Sequence, residues 1–280
     1  MAPRDDMLVV NPGAANNHDA QDHPSTDSHQ HHATRTGPVA LAIRAEEADV
    51  TITVDPDVIT ALIHVTGQDE TDEGPTWTAR ETSTGRPALE VRLSGRPLTS
   101  TADRVNLAGA TITGSSVGLG RGVVINGVPI HAQAFAPSRR VEAFIPPGST
   151  VVVETSSGDI TLIGTDPDGV PDLTATSVSG DIEVAVAARE AQVRTTSGDI
   201  NLAQVLAGLN AVSVSGDVTV ADLNAGGGHV QSVSGDVRVR FGAQAHGAPV
   251  ISTVSGGVRV SGAVPAQVHL SSVSGRVREH

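Results

Sequence analysis

Apolar and polar side chains alternate along most of the chain, and the alternation begins at Val39. Val39, Leu41 and Ile43 form one series, Val50, Ile52 and Val54 a second, and Leu89, Val91 and Leu93 a third, with Ile63 and Val65 suggesting another. A period of two marks a half-buried strand, because successive side chains of an extended backbone point to opposite faces. No stretch carries a 3.6-residue apolar period bounded by capping residues, so helices are expected to be few and short. Residues 1–37 have little apolar content and five histidines, His18, His23, His29, His31 and His32. They predict a disordered tail, since such a segment cannot bury enough surface to offset the entropy of ordering. A His-rich metal tract is the alternative, although the spacing fits no defined site. Asp69 to Pro75 reads as an acidic solvated turn, and residues 99–136 are Gly-rich and weakly patterned.

The second half of the chain is repetitive. A Ser-Gly dipeptide recurs seven times in one register, with its glycines at Gly158, Gly180, Gly198, Gly216, Gly235, Gly256 and Gly275, spaced 22, 18, 18, 19, 21 and 19 residues apart. The second residue after each Gly is Ile160, Ile182, Ile200, Val218, Val237, Val258 or Val277. The fourth is Leu162, Val184, Leu202, Val220, Val239 or Val260, and then Glu279. Three residues before each Gly stands a hydroxyl: Thr155, Ser177, Thr195, Ser213, Ser232, Thr253, Ser272. Asp159, Asp181, Asp199, Asp217 and Asp236 follow the first five glycines, and Gly257 and Arg276 follow the last two.

One unit of this length cannot bury an apolar face alone, whereas stacked units share a continuous interior. The predicted architecture is therefore all-β: a parallel β-helix or β-solenoid of about seven repeats over residues 141–280, entered through an irregular β segment at 38–140. Rungs would lie about 4.8 Å apart, and each fully buried Val or Ile would contribute about 1.5–3 kcal/mol. The corner glycines either adopt positive φ or let rungs approach without a Cβ. The hydroxyl column can bond from rung to rung. Gly-Asp flanked by alternating Val is also a type II′ hairpin signal, which would give an antiparallel sandwich of hairpins. The constancy of side chains at fixed offsets on both arms favours the solenoid.

The run VEAFIPPGSTVVVETSSGDITL (Val141–Leu162), followed by SVSGDIEV, TTSGDINL, SVSGDVTV and SVSGDVRV, resembles the bacterial putative-adhesin family of unknown function, built of such β-strand repeats. The resemblance covers residues 38–280 and is most specific over 141–280. It implies a β-helical solenoid with no known catalytic residue and no known cofactor, and it suggests surface adhesion.

Composition narrows the function. The net charge is −13, and all 18 basic side chains are Arg, which argues against nucleic acid, a ligand that needs clustered cations. Trp77, Phe135, Phe144 and Phe241 are the only aromatics, too few for a base-stacking platform. The absence of Cys excludes disulfides and thiolate chemistry. The apolar run Met7 to Val10 is shorter than a signal peptide requires, and no segment reaches the length of a membrane span, so the chain reads as cytoplasmic, with surface association left open.

Candidate chemistry is sparse. Gly114-Ser115-Ser116-Val117-Gly118 matches the G-x-S-x-G elbow, but the sequence that follows cannot start the helix this motif needs, so it reads as a chance match. Gly118-Leu119-Gly120-Arg121-Gly122 lacks the context and the Lys of a phosphate loop and reads as a plain loop. The Asp column reads as turn residues bonding their own backbone. Two chemical alternatives attach to Asp159, Asp181, Asp199, Asp217 and Asp236. One is a cation ladder, since calcium takes several oxygens. The other is a carboxylate pair at about the 5 Å of retaining glycosidases, in a polysaccharide-active enzyme. Short spacers leave little chain to build a cleft. His64, His131, His229, His246 and His269 are scattered, so no triad is assigned.

No catalytic, cofactor or metal residue is therefore assigned, and the chain reads as a non-enzymatic binding or scaffold module for a protein or glycan. The alternative is a self-assembling element joined through its solenoid ends. Asp166, Asp168, Asp172 and Asp181 lie early in the repeats and Arg238, Arg240, Arg259, Arg276 and Arg278 late, which would favour head-to-tail contact. Arg276, Arg278 and Glu279 would instead act as gatekeepers against such growth.

Overall fold

A computed structural model of the chain describes residues 27–33, 35–68, 75–82, 86–94, 105–107, 110–112, 123–125, 128–130, 139–164 and 170–279. Among them every regular element is a strand. The first six are β1 (Asp27–His32), β2 (Ala40–Ala45), β3 (Asp49–Val54), β4 (Leu62–Gln68), β5 (Thr76–Glu81) and β6 (Pro87–Leu93). Two separate antiparallel pairs follow, β7 (Val105–Leu107) with β8 (Ala110–Ile112) and β9 (Val123–Ile125) with β10 (Val128–Ile130). The remainder are β11 (Arg140–Ile145), β12 (Thr150–Thr155), β13 (Ile160–Gly164), β14 (Val170–Thr176), β15 (Ile182–Thr195), β16 (Ile200–Ser213) and β17 (Val218–Leu223). After them come β18 (Gly227–Ser232), β19 (Val237–Phe241), β20 (Val250–Thr253), β21 (Val258–Gly262), β22 (His269–Ser272) and β23 (Val277–Glu279).

These strands stack as a coil with two parallel ladders. One runs β6, β2, β12, β14, β15, β16, β18, β20, β22. The other runs β11, β3, β13, β15, β16, β17, β19, β21, β23. The long strands β15 and β16 belong to both, because each bends from the second ladder into the first without leaving the extended conformation. Parallel pairing throughout the repeats sets aside the antiparallel sandwich. The sequence offsets are the structural register: Ile160, Ile182, Ile200, Val218, Val237, Val258 and Val277 are successive partners. The column extends at its other end through Val50 to Val141. All these side chains are buried except Val277 in the final rung, which is 44% exposed. Small aliphatic residues build the whole interior, with Phe241 its one fully buried ring among the described residues.

Space order and chain order differ at the N-terminal end. The β2–β3 rung is made first but lies second, between the β6–β11 rung and the β12–β13 rung. Antiparallel strands cover that end: β5 pairs β6, β4 pairs β11, and β1 pairs β4. Strand β1 falls inside the stretch that reads as a disordered tail. Pairing to a free edge needs backbone groups rather than apolar content, and His31 stacks on Trp77 with ring centroids 4.9 Å apart. No helix among the described residues is long and apolar enough to cross a membrane.

Candidate functional site: the Ser-Gly-Asp corner ladder

The chemistry-bearing residues of the repeat meet at the corner that carries each rung from the first ladder to the second. Here the glycine has a steric job. None of the seven corner glycines adopts positive φ, a conformation found at Gly37, Gly67, Gly148, Gly247 and Gly262. A Cβ on Gly198 would instead stand 2.1 Å from the Gly180 carbonyl oxygen, and one on Gly216 would stand 2.0 Å from that of Gly198. Of the two roles open to these glycines, close approach holds and positive φ does not.

That close approach presents each glycine carbonyl to the next rung's hydroxyl. Thr195 Oγ1 donates to the Gly180 carbonyl at 3.2 Å, Ser213 Oγ to Gly198 at 3.2 Å, Ser232 Oγ to Gly216 at 2.9 Å and Ser272 Oγ to Gly256 at 2.7 Å. Ser177 and Thr253 make the same bond to Gly158 and Gly235. The hydroxyls from Thr155 to Thr253 are buried, so each bond satisfies a group shielded from water.

The aspartates complete the stitch on the outside. Asp159 Oδ1 accepts the Asp181 N–H at 2.9 Å; Asp181, Asp199 and Asp217 accept the N–H of Asp199, Asp217 and Asp236, each at 2.8 Å. Asp236 accepts the Gly257 N–H at 2.7 Å. The carboxylates therefore bond the following rung, whereas the turn reading placed these bonds on their own backbone. Neighbouring carboxylates about 4.8 Å apart repel by roughly 1 kcal/mol in water. A hydrogen bond to a charged group contributes about 1.5–3 kcal/mol, so the stitch outweighs the repulsion. Asp49 belongs to the same column, accepting the Asp159 N–H at 3.2 Å. Sequence reasoning missed it because Ala48 stands where the repeat has Gly.

Arg238 is the one cationic side chain paired with this column among the described residues. Its Nη1 lies 2.8 Å from Asp217 Oδ2 and its Nη2 3.0 Å from Asp236 Oδ2. Burial pulls the Asp217 carboxyl upward, but the Arg238 guanidinium and the Asp236 N–H outweigh it and hold the group below its ordinary value. The Asp217 hydrogen bond in turn raises the guanidinium's own affinity for its proton.

Among the described residues no three His, Cys, Asp or Glu side chains converge as metal ligands. His64, His229, His246 and His269 lie on separate strands and loops, and His229 Nε2 meets Gln231 at 3.2 Å. His131, the 114–118 and 118–122 glycine motifs, Asp166, Asp168 and residues 69–74 of the acidic turn lie outside the described residues.

Residues 138–280, just over half of the chain, match the family model Toastrack DUF4097. The chain belongs to that family. The Toastrack fold extends beyond the matched residues here, since β2, β3 and β6 join the same two ladders. A crystal structure described as a "putative adhesin" from Bacteroides fragilis is similar in fold: 13% identity, 92% of this chain and 99% of that one covered, and a TM-score of 0.50. A "putative cell adhesion protein" from Clostridium sporogenes aligns with 9% identity over 90% of this chain and 99% of that one, at a TM-score of 0.33. No curated protein matches the Toastrack chain in sequence.

Proposed function

We propose that this Toastrack chain is a non-enzymatic binding or scaffold module, a stiff coil that offers one long face to a protein or glycan partner. The corner ladder carries this reading. The Ser and Thr hydroxyls, and one oxygen of each Asp, are bonded to the neighbouring rung's backbone. Groups so engaged stiffen the coil and are poorly placed to exchange protons with a substrate. The fold shared with the B. fragilis structure supports adhesion as the setting. A glycan array and a panel of cell-envelope proteins test the proposal, with ligands recovered for mass spectrometry. Saturable, reversible capture of an unaltered ligand is expected. Conversion of the ligand, lost in Asp199→Ala, would overturn it.

Self-assembly is the second reading, favoured by the last described rung, where Val273 is 81% exposed and β23 pairs only β21 among the described residues. Glu279 opposes it by placing a charge in the aliphatic column opposite Val260, a device that discourages edge pairing. Sedimentation velocity at low and high salt separates the readings, since a monomer at every concentration removes self-assembly.

A further inference from the structure

From Asp49 to Asp236, each corner carboxylate serves the rung that follows. The series stops at Gly257, which receives the Asp236 carboxylate but has no side chain to pass on. Arg276, the next residue in the column, consequently has a backbone N–H with no acceptor among the described residues. The carboxylate that every preceding corner supplies from its own sequence is missing at Gly257.

The surroundings of that position are cationic. Arg238, Arg259 and Arg278 are partners on adjacent strands β19, β21 and β23; the first two stand on the outward side between buried valines, and Arg278 stands between the exposed Val277 and Glu279. Arg238 is satisfied by Asp217 and Asp236. Arg259, Arg276 and Arg278 are exposed and make no ion pair among the described residues. Together with Asp236 and Gly257 they line a cleft of about 170 Å³. Three exposed guanidinium groups line this one cleft in a chain of net charge −13, and their like charges make the cleft attractive to an anion. Their planar donor forks suit the paired oxygens of a carboxylate or phosphate.

We infer that this cleft is an oxyanion site. A ligand carboxylate or phosphate takes the place that an aspartate side chain holds in the other corners. It accepts the Arg276 N–H together with charge-assisted hydrogen bonds from Arg259 and Arg278. The site stands whether or not the module has a macromolecular partner.

The test is an NMR titration of the full, isotopically labelled chain with sodium acetate and, separately, with sodium phosphate, at ionic strength held constant by chloride. Saturable shifts confined to the amides around Gly257 and Arg276 are expected with one or both anions, and the anion that saturates names the oxyanion the site takes. Gly257→Asp installs a tethered carboxylate in the slot, so it abolishes the saturable response and raises the thermal midpoint. Pairing Arg259→Ala with Arg278→Ala weakens binding about tenfold or more, the effect of losing charge-assisted bonds, while the fold persists because both side chains are exposed. The inference fails if neither anion saturates, or if the folded Gly257→Asp chain or the double-arginine chain binds as the parent does. Should Gly257→Asp not fold, the double-arginine chain decides alone.

Discussion

The two ends of the coil solve the same problem differently. At the N-terminal end the first parallel rung is covered by antiparallel strands, β5 on one ladder and β4 with β1 on the other, so its backbone groups are paired and Leu89, Val91, Val141 and Ile145 are buried. At the C-terminal end β22 and β23 have a neighbour on one side only among the described residues, and Val277 stands 44% exposed in a column that is otherwise dry. Within the repeats the aliphatic position after each Gly is kept, so the contrast between Ile200 and Val277 comes from stacking more than from side-chain type. An identical aliphatic position stabilises only when a rung lies on each side of it. Stability should fall along the coil towards its last rung, as in other one-dimensional arrays.

Substitutions in equivalent positions sharpen that gradient. Ile200→Ala, in the middle of the buried column, should cost about 2–5 kcal/mol in denaturant unfolding, the usual range for a large-to-small core change. Val277→Ala should cost under about 0.5 kcal/mol, as surface changes do. Equal losses would break the gradient. Gly198→Ala forces a methyl onto the Gly180 carbonyl and should cost about 1–3 kcal/mol. Gly275→Ala meets the Gly256 carbonyl even more closely, yet should cost less, because the last rung can move away from a single neighbour. Ser213→Ala strands a buried acceptor and should cost about 1 kcal/mol, while Ser272→Ala in the final rung should cost a fraction of that.

A further expected effect is electrostatic. Asp217 sits below its ordinary value of 3.8, so its charge stabilises the fold fully above that pH, and the contribution is lost as pH falls through the lowered value. With the side chain 42% exposed, the effect should be below about 1 kcal/mol. Asp217→Asn keeps an oxygen for the Asp236 N–H and removes the charge. Its melting midpoint should therefore depend less on pH below 4 than the parent's, and an unchanged profile would discount the Arg238 pair.

Much of this gradient was legible from the sequence and some was not, for reasons particular to each region. Between Ile160 and Val277 the rung order is the chain order, so fixed offsets from each Gly name the columns directly. The β6–β11 rung gives no such sign, because its corner is interrupted by the whole of residues 95–138. Only the coordinates bring Arg139 to the Ser94 carbonyl across that gap. Ala48 hid the β2–β3 corner for a related reason. Among the described residues no corner stacks on its outer side, and its position holds a Cβ that Gly158 could not carry without meeting the Ala48 carbonyl. The Asp column was visible, but spacing alone cannot distinguish a carboxylate that bonds its own turn from one that bonds the next rung. The arginine column was visible only as charge until register aligned Arg238, Arg259 and Arg278.

The rung threaded between two later ones also has a history in time. When β2 and β3 leave the ribosome, both of their lateral partners are still unsynthesised, β6 and β12 for one, β11 and β13 for the other. That hairpin-less pair must wait as an open sandwich filling, with its aliphatic face unsheltered, until long loops close on either side. From β14 onward each newly made turn finds its seat already in place. Vectorial growth is thus available to the second half of the molecule, whereas the first half has to assemble all at once.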